Sequence, residues 1–186
     1  MRVLLGVTGG IAAYKAADLT SQLVKAGHEV RVVMSRGATR FVGPLTFEAM
    51  SGHTVLLDAL ATGTGSAEGP GAVEHVNLAK WAQVAAVAPL TAHTLSKLAC
   101  GLADDALTTV WMALPSGVPC LLCPAMNTAM WEHPVVQRNL QWLAQMPRYR
   151  VLRPTEKRLA CGDVGVGGMA EVEDIVAAIQ ECTTSG

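Results

Sequence analysis

Charged residues are scarce in this sequence, and the charges that it carries nearly cancel. Only 16% of its residues are Asp, Glu, Lys or Arg, with 14 basic and 15 acidic, whereas 51% are hydrophobic. Balanced charge leaves no electrostatic footprint for nucleic acid or for an anionic membrane. So little charge is also unusual for the solvated surface of a monomer. We therefore expect part of the surface to be buried against other subunits.

Long hydrophobic runs are absent as well. No apolar stretch reaches the ~20 residues that a membrane-spanning helix needs. The first apolar segment, 2–7, is too short for a signal peptide and leads straight into a glycine turn. We therefore expect a cytoplasmic protein, and the length of 186 residues predicts a single domain over 1–186.

The five cysteines form no obvious metal site. Cys120 and Cys123 have a CxxC spacing but lie in an apolar run that predicts a buried strand. Residues three apart on a strand point to opposite faces, so this pair cannot easily share a metal or a disulfide. Cys100 and Cys182 fall in helical patterns and are interpreted as structural. No metal site is predicted.

Cys161 differs from these four because its surroundings are rich in glycine. Four glycines occur in the seven residues that follow it. Such a sequence is not expected to form a packed helix or strand, which predicts a mobile loop over 156–169 that closes over a substrate. A thiol on such a loop indicates chemistry, although on this segment alone a chance loop cysteine is an equal alternative. Arg158 has two interpretations as well, a substrate contact or a solvated loop charge.

Apolar, strand-like segments alternate with helical patterns along the chain. The predicted strands are 3–7, 30–34, 84–88, 119–123 and a weaker one at 151–152. The predicted helices are 11–25, 91–100, 105–113, 134–145 and 172–182, with a short helix from 74. Continuous apolar strands separated by helices indicate a parallel sheet covered on both faces. We predict a three-layer, doubly wound α/β domain of the flavodoxin or Rossmann type, interrupted by a flexible stretch at 61–71.

In such a fold, ligands bind beyond the carboxyl ends of the strands. The turn after the first strand, Gly6–Ala13, offers free amides at a helix N-terminus, although glycine turns after strands are common. It is not a GxGxxG sequence, and the second strand ends in Ser35 and Arg36 instead of the acidic residue that NAD requires. Arg36 keeps NADP arguable, but a single phosphate, as in FMN, fits these two turns better.

Three more segments carry candidate residues. The loop Pro89–Thr94 has hydroxyls that could cap a helix or bond a ligand. Asn127, in the loop after the fourth strand, offers donors and an acceptor for a carboxylate or an amide. His75 starts a short helix, where a histidine can be incidental or catalytic.

Together these segments resemble the FMN-dependent cysteine decarboxylases, and among them those that act on phosphopantothenoylcysteine. The resemblance rests on the segments 6–15, 75–82, 124–131 and 159–163, the last two reading PAMNTAMW and LACGD. It extends from about Arg2 to about Ile179. In place of the asparagine of one family motif, this sequence has His93.

The resemblance implies specific roles for individual residues. It implies His75 and Cys161 as catalytic residues and FMN as the cofactor. It implies substrate contacts by Asn127, Arg158, Leu159 and Ala160. It implies that FMN is held by Gly9, Gly10, Ile11, Ser35, Arg36, Thr91, Ala92, His93, Thr94 and Ala125. It also implies a homotrimer or a dodecamer with flavin at the subunit interface, and a fused or separate synthetase partner.

The reaction that the resemblance implies belongs to coenzyme A biosynthesis. Phosphopantothenoylcysteine would be oxidised by FMN to a thioaldehyde, lose carbon dioxide and be reduced again to 4'-phosphopantetheine, with Cys161 donating a proton. His75 would act as a base or orient the substrate. The alternatives are an oxidative decarboxylase of a peptide C-terminal cysteine, which stops at the enethiol, and a non-catalytic flavin-binding regulatory subunit.

Overall fold

A computed structural model of the protein describes residues 1–59, 74–158 and 164–182. Five parallel strands form one sheet in the order β2-β1-β3-β4-β5. Their bounds are β1 Arg2–Val7, β2 Glu29–Met34, β3 Val84–Leu90, β4 Cys120–Pro124 and β5 Tyr149–Val151. This strand order is that of the flavodoxin-like folds. The predicted doubly wound α/β fold and all five predicted strands are confirmed.

Helices cover both faces of the sheet. Their bounds are α1 Ala13–Lys25, α2 Pro44–Ser51, α3 Glu74–Trp81, α4 Ala92–Cys100, α5 Ala106–Ala113, α6 Thr128–Glu132, α7 Pro134–Ala144 and α8 Val172–Glu181. The predicted helices are confirmed within a few residues, and α1 is followed by Gly27 at φ 81°, a conformation that favours glycine. Helices α2 and α6 were not predicted. Both are short: α2 starts with Pro44, and α6 has Asn127 as its N-cap.

Two hydrophobic clusters, one on each face of the sheet, form the core. One contains buried residues of α1, α2 and α8, and the other contains buried residues of α3, α4, α5 and α7. Cys123 belongs to the first cluster and Cys120 to the second, and both are fully buried. The prediction that these two thiols point to opposite faces is therefore confirmed. Cys100, in contrast, is exposed at the end of α4, so its structural interpretation is wrong.

A two-stranded antiparallel hairpin precedes α8, with β6 at Thr155–Arg158 and β7 at Val164–Gly168. The expectation that 156–169 forms a loop without strands is therefore wrong where the structure describes it. Antiparallel pairing uses backbone groups, which glycine supplies as well as any other residue. Leu159, Ala160 and Cys161, and the stretch 61–71, lie outside the described residues.

The helices are short relative to the thickness of a bilayer. Among residues 1–59, 74–158 and 164–182, no helix is both long enough and apolar enough to span a membrane.

Candidate functional site

A cavity of about 860 Å³ opens at the carboxyl edge of the sheet, and the loops that follow β1, β2, β3 and β4 line it together with the end of β7. The chain leaves β1 towards β2 and later enters β3 on the other side, so a crevice forms between them. Ten predicted cofactor residues line the cavity: Gly9, Gly10, Ile11, Ser35, Arg36, Thr91, Ala92, His93, Thr94 and Ala125. The predicted substrate residue Asn127 lines it too.

Thr8 fastens the loop after β1 to the loop after β3. Its fully buried hydroxyl donates a hydrogen bond to the Pro89 carbonyl over 2.7 Å and accepts one from the Thr91 N–H over 3.1 Å. A buried hydroxyl that uses both its donor and its acceptor fixes the two loops relative to each other. Thr8 was not predicted as a site residue. The sequence signal that could have identified it is its position between the first strand and the Gly9-Gly10 pair.

Close contact between glycines brings the loops after β1 and β2 together. A Cβ on Gly9 would lie 2.8 Å from the Cα of Gly37, so only glycine permits this approach. A Cβ on Gly10 would meet nothing closer than the Thr91 Cγ2 at 3.4 Å. Helix α1 begins directly after these glycines, and its N-cap Ala12 makes no side-chain capping bond. The Ala13 and Lys15 N–H groups donate to the Gly10 and Ala12 carbonyls, but no described hydrogen bond uses the N–H of Ile11 or Ala12. These two amides are therefore available to an anion in the cavity.

Two polar side chains of the cavity also cap helices. The Thr91 Oγ1 accepts from the Thr94 N–H over 3.4 Å at the start of α4, and the Asn127 Oδ1 accepts from the Met130 N–H over 2.8 Å at the start of α6. The capping alternative for Thr91 is therefore confirmed. In the described hydrogen bonds Asn127 uses only its oxygen, so its amide N–H groups remain available to a ligand in the cavity.

Most charges that line the cavity belong to ion pairs. The Lys15 Nζ lies 2.9 Å from the Glu171 carboxylate, and the Lys97 Nζ lies 2.6 Å from Asp104 and 2.8 Å from Asp105. Burial works against the charge of Lys97, but its bonds to both carboxylates raise the pKa of its ammonium group.

The two lysines that line the cavity were not predicted, but the sequence contains a signal for them. Lys97 lies one turn beyond Thr94 on α4, and Lys15 lies one turn beyond Ile11, so helical spacing from the predicted residues would have found both. Arg36 is an exposed cation of the same cavity, next to the glycine contact. A cation beside free amides suits a phosphate.

His75 does not line this cavity. It lies in the first turn of α3, half-buried, and its Nδ1 is 3.1 Å from the Ala59 carbonyl oxygen. Because α3 leads directly into β3, its first turn is at the same edge of the sheet as the cavity. The structure therefore places His75 on the same edge of the sheet as the cavity, but not among the described residues that line it, and its catalytic role stays a prediction. Arg158, another predicted site residue, belongs to β6. The described residues contain no cluster of three or more His, Cys, Asp or Glu that could hold a metal.

Comparisons with known proteins agree with the α/β fold and indicate a flavoprotein. A family model described as Flavoprotein matches residues 1–184. The probable phosphopantothenoylcysteine decarboxylase of Streptococcus mutans is 42% identical over 97% of this chain and 97% of its own length. The coenzyme A biosynthesis bifunctional protein CoaBC of Bacillus subtilis is 48% identical over 94% of this chain, but the match spans only 41% of that protein.

Two solved structures have the same architecture. A cysteine-to-serine mutant of a PPC decarboxylase complexed with pantothenoylaminoethenethiol is 34% identical with a TM-score of 0.87, and 98% of each chain is covered. The FMN-binding protein AtHal3 is 35% identical with a TM-score of 0.84, over 100% of this chain and 97% of the other.

Proposed function

Since this chain belongs to the Flavoprotein family, we propose that it binds FMN in the cavity and decarboxylates phosphopantothenoylcysteine to 4'-phosphopantetheine in the cytoplasm. The observation that carries the proposal is the convergence of four loops on one cavity, which gathers ten predicted cofactor residues and Asn127. A volume of about 860 Å³ is within the range of sites for cofactors and small substrates.

The residues present fit FMN. Its phosphate would be held by the amides of Ile11 and Ala12 and by the guanidinium of Arg36, beside the uncapped start of α1. No carboxylate follows β2 to take the ribose hydroxyls of a dinucleotide, since the chain continues there with Ser35, Arg36 and Gly37. When bound, FMN supplies reversible two-electron oxidation of the substrate's cysteine carbon, which provides the electron sink that decarboxylation needs.

The protein's own groups bind the substrate and control its protons. The free amide of Asn127 would donate hydrogen bonds to the substrate carboxylate until carbon dioxide leaves. His75 would accept a proton or hold the substrate thiolate, and Cys161 would return a proton to the product. Arg158, Leu159 and Ala160 precede Cys161 in the chain and would contact the substrate from the same side.

We further propose that the chain works as a homotrimer, alone or assembled into a dodecamer, with FMN at the subunit interface. Ile11 and Tyr14 support this, because both line the cavity and yet each is 61% exposed in the single chain. The position of His75 also supports it, since this residue is not among the described residues that line the cavity. Residues 1–186 would act as one flavoprotein domain, with the synthetase as a fused or separate partner.

Turnover by purified protein tests the activity. We expect yellow protein that releases FMN on heating, and a product of phosphopantothenoylcysteine with the mass of phosphopantetheine. Release of FAD or NADP would contradict the cofactor proposal. A product two hydrogens lighter would favour the alternative enethiol-forming reaction, in which case a peptide with a C-terminal cysteine is the substrate to try next. No carbon dioxide from either substrate would favour the regulatory alternative.

Replacement of Cys161 separates the two halves of the proposed reaction. A serine hydroxyl is a much weaker acid than a thiol. Cys161→Ser is therefore expected to release carbon dioxide but to leave the product two hydrogens short in a single turnover. Fully saturated product at the normal rate would show that Cys161 is not the proton donor.

A further inference from the structure

Strand β7 lies directly against the turn that carries Asn127. The Met126 N–H donates a hydrogen bond to the Gly167 carbonyl over 3.0 Å. A Cβ on Gly167 would overlap the Met126 carbonyl oxygen, and a Cβ on Gly165 would overlap the Thr128 Oγ1. The strand therefore contacts the turn on both sides of Asn127, at residues 126 and 128, and only because two of its residues have no side chain.

Two other glycines, Gly43 and Gly117, do not have this constraint. A Cβ added to Gly43 or Gly117 would meet no atom within 4 Å, and neither residue has a positive φ. The approach of β7 is thus a property of Gly165 and Gly167, and it is separate from the glycine contact at the phosphate end of the cavity.

We propose that Gly165 and Gly167 are positioning residues for the proposed reaction, because they let β7 fix the orientation of Asn127. Helix α6 has only five residues and depends on the Asn127 cap, so it has little rigidity of its own. The backbone bond at Met126 and the close contact at Thr128 hold the turn from both flanks. The Asn127 amide therefore faces the cavity in one orientation.

This arrangement predicts that substrate handling and flavin binding can be separated. Gly9, Gly10 and Arg36 lie on the loops after β1 and β2, and the glycine contacts of β7 involve only the loop after β4. A displaced β7 is expected to change the reaction while the phosphate end of the cavity keeps its geometry.

The experiment compares Gly167→Ala and Gly165→Ala with Gly117→Ala in the flavin-loaded protein. We expect kcat/KM to fall on the order of 100-fold in the two β7 variants, because an ångström of misplacement is enough for such a loss. We expect the FMN dissociation constant, measured by fluorescence titration, to stay within about twofold of the wild-type value and Gly117→Ala to behave as wild type. Hydrogen exchange at the Met126 amide is expected to rise in Gly167→Ala, because its backbone acceptor is displaced.

A rescue variant excludes a general folding defect. The Thr128 Oγ1 is buried and makes no hydrogen bond among the described residues, so Thr128→Ala loses none. In Gly165→Ala/Thr128→Ala the nearest Thr128 atom left would be the Cβ at 3.3 Å, and activity is expected to return. The same replacement is not expected to rescue Gly167→Ala, whose obstacle is a backbone carbonyl.

Two results would overturn the proposal: normal kcat/KM in both β7 variants, or a loss of FMN affinity in parallel with the loss of activity. The proposal depends on the proposed function only for its activity measurement. If wild-type protein does not decarboxylate the substrate, the proposed function fails, and unchanged exchange at Met126 in Gly167→Ala would overturn the positioning contact separately.

Discussion

At the scale of single residues, Asn127 has two tasks that use different atoms. Its Oδ1 caps α6, and its N–H groups remain for a ligand. A carboxylate can replace the first function but not the second, because Asp caps helices as well as Asn and has no donor when ionised. One substitution can therefore separate the structural task from the proposed binding task.

Asn127→Asp is expected to keep the fold and lose the reaction. The negative charge would face the substrate carboxylate, and such a like-charge contact costs about 2 kcal/mol or more, so kcat/KM should fall roughly 30-fold or more. Steady-state kinetics and a melting curve measure the two effects. Asn127→Ala is the matched control, which is expected to lower the melting temperature through loss of the cap. Unchanged kinetics in Asn127→Asp would place the substrate carboxylate elsewhere.

The thiols outside the candidate site differ in burial, which predicts their reactivity. Burial raises the pKa of the Cys123 thiol to about 12 and also raises the pKa of Cys120. Folding therefore favours the protonated thiols, a contribution that is complete below pH ~9 and declines as the pH rises towards 12. Cys100 is exposed at the end of α4.

We expect an alkylating reagent at pH 8 to modify Cys100 in the native protein and to leave Cys120 and Cys123 unmodified, because thiolates react and buried thiols do not ionise. Peptide mass spectrometry identifies the modified sites. After unfolding in urea all three are expected to react. Rapid labelling of Cys123 in the native protein would contradict this expectation, because it would mean that the reagent reaches the core at β4.

At the scale of elements, the strands were predictable because each one is a short, continuous apolar segment that can be recognised from its own sequence. Segments such as 84–88 are apolar throughout, and only a strand buried on both faces permits that in a parallel sheet. The hairpin was not predictable for the opposite reason. β7 contains three glycines in five residues, and its stability comes from pairing with β6 and from contact with the turn at 126–128, which are tertiary contacts.

The site was predictable where it depends on the carboxyl ends of strands. Gly9, Ser35, Thr91 and Asn127 each follow a recognisable strand, so topology brings them together. Thr8 and Lys97 were missed because their significance depends on partners that are distant in sequence: Pro89 for the hydroxyl, and Asp104 and Asp105 for the ammonium group.

Replacement of the glycines after β1 tests which of them the cavity depends on. Gly9→Ala is expected to force the loops after β1 and β2 apart, because its methyl group would lie 2.8 Å from the Gly37 Cα. Overpacking of this kind costs about 1–3 kcal/mol, so the FMN dissociation constant should rise about tenfold. Gly10→Ala is the control, since its nearest neighbour would be a methyl carbon at 3.4 Å. Equal FMN binding by both variants, measured by fluorescence, would mean that the loop contact does not shape the phosphate site.

At the scale of the whole molecule, several large apolar side chains are exposed, and two of them, Ile11 and Tyr14, line the cavity. Ile11 and Tyr14 are each 61% exposed, Phe41 is 51% exposed and Leu45 is 75% exposed. Together with the 16% of charged residues in the whole sequence, this exposure supports the proposal that another subunit covers part of this surface. A neighbour docked there would lie over the open side of the cavity.

If that neighbour supplies His75, two inactive variants are expected to restore each other. His75→Asn and Asn127→Asp should each lack activity alone while retaining FMN, because the phosphate end of the cavity includes neither residue. Hybrid oligomers made by coexpression would contain interfaces with an intact His75 on one side and an intact Asn127 on the other, so carbon dioxide release should return to a sizeable fraction of wild type. The control is His53→Asn, which is expected to be active by itself. His53 lies beside Glu29 at the edge of the sheet. Mass spectrometry checks that both chains are present in one oligomer. If such hybrids stay inactive, His75 and Asn127 must act from the same chain.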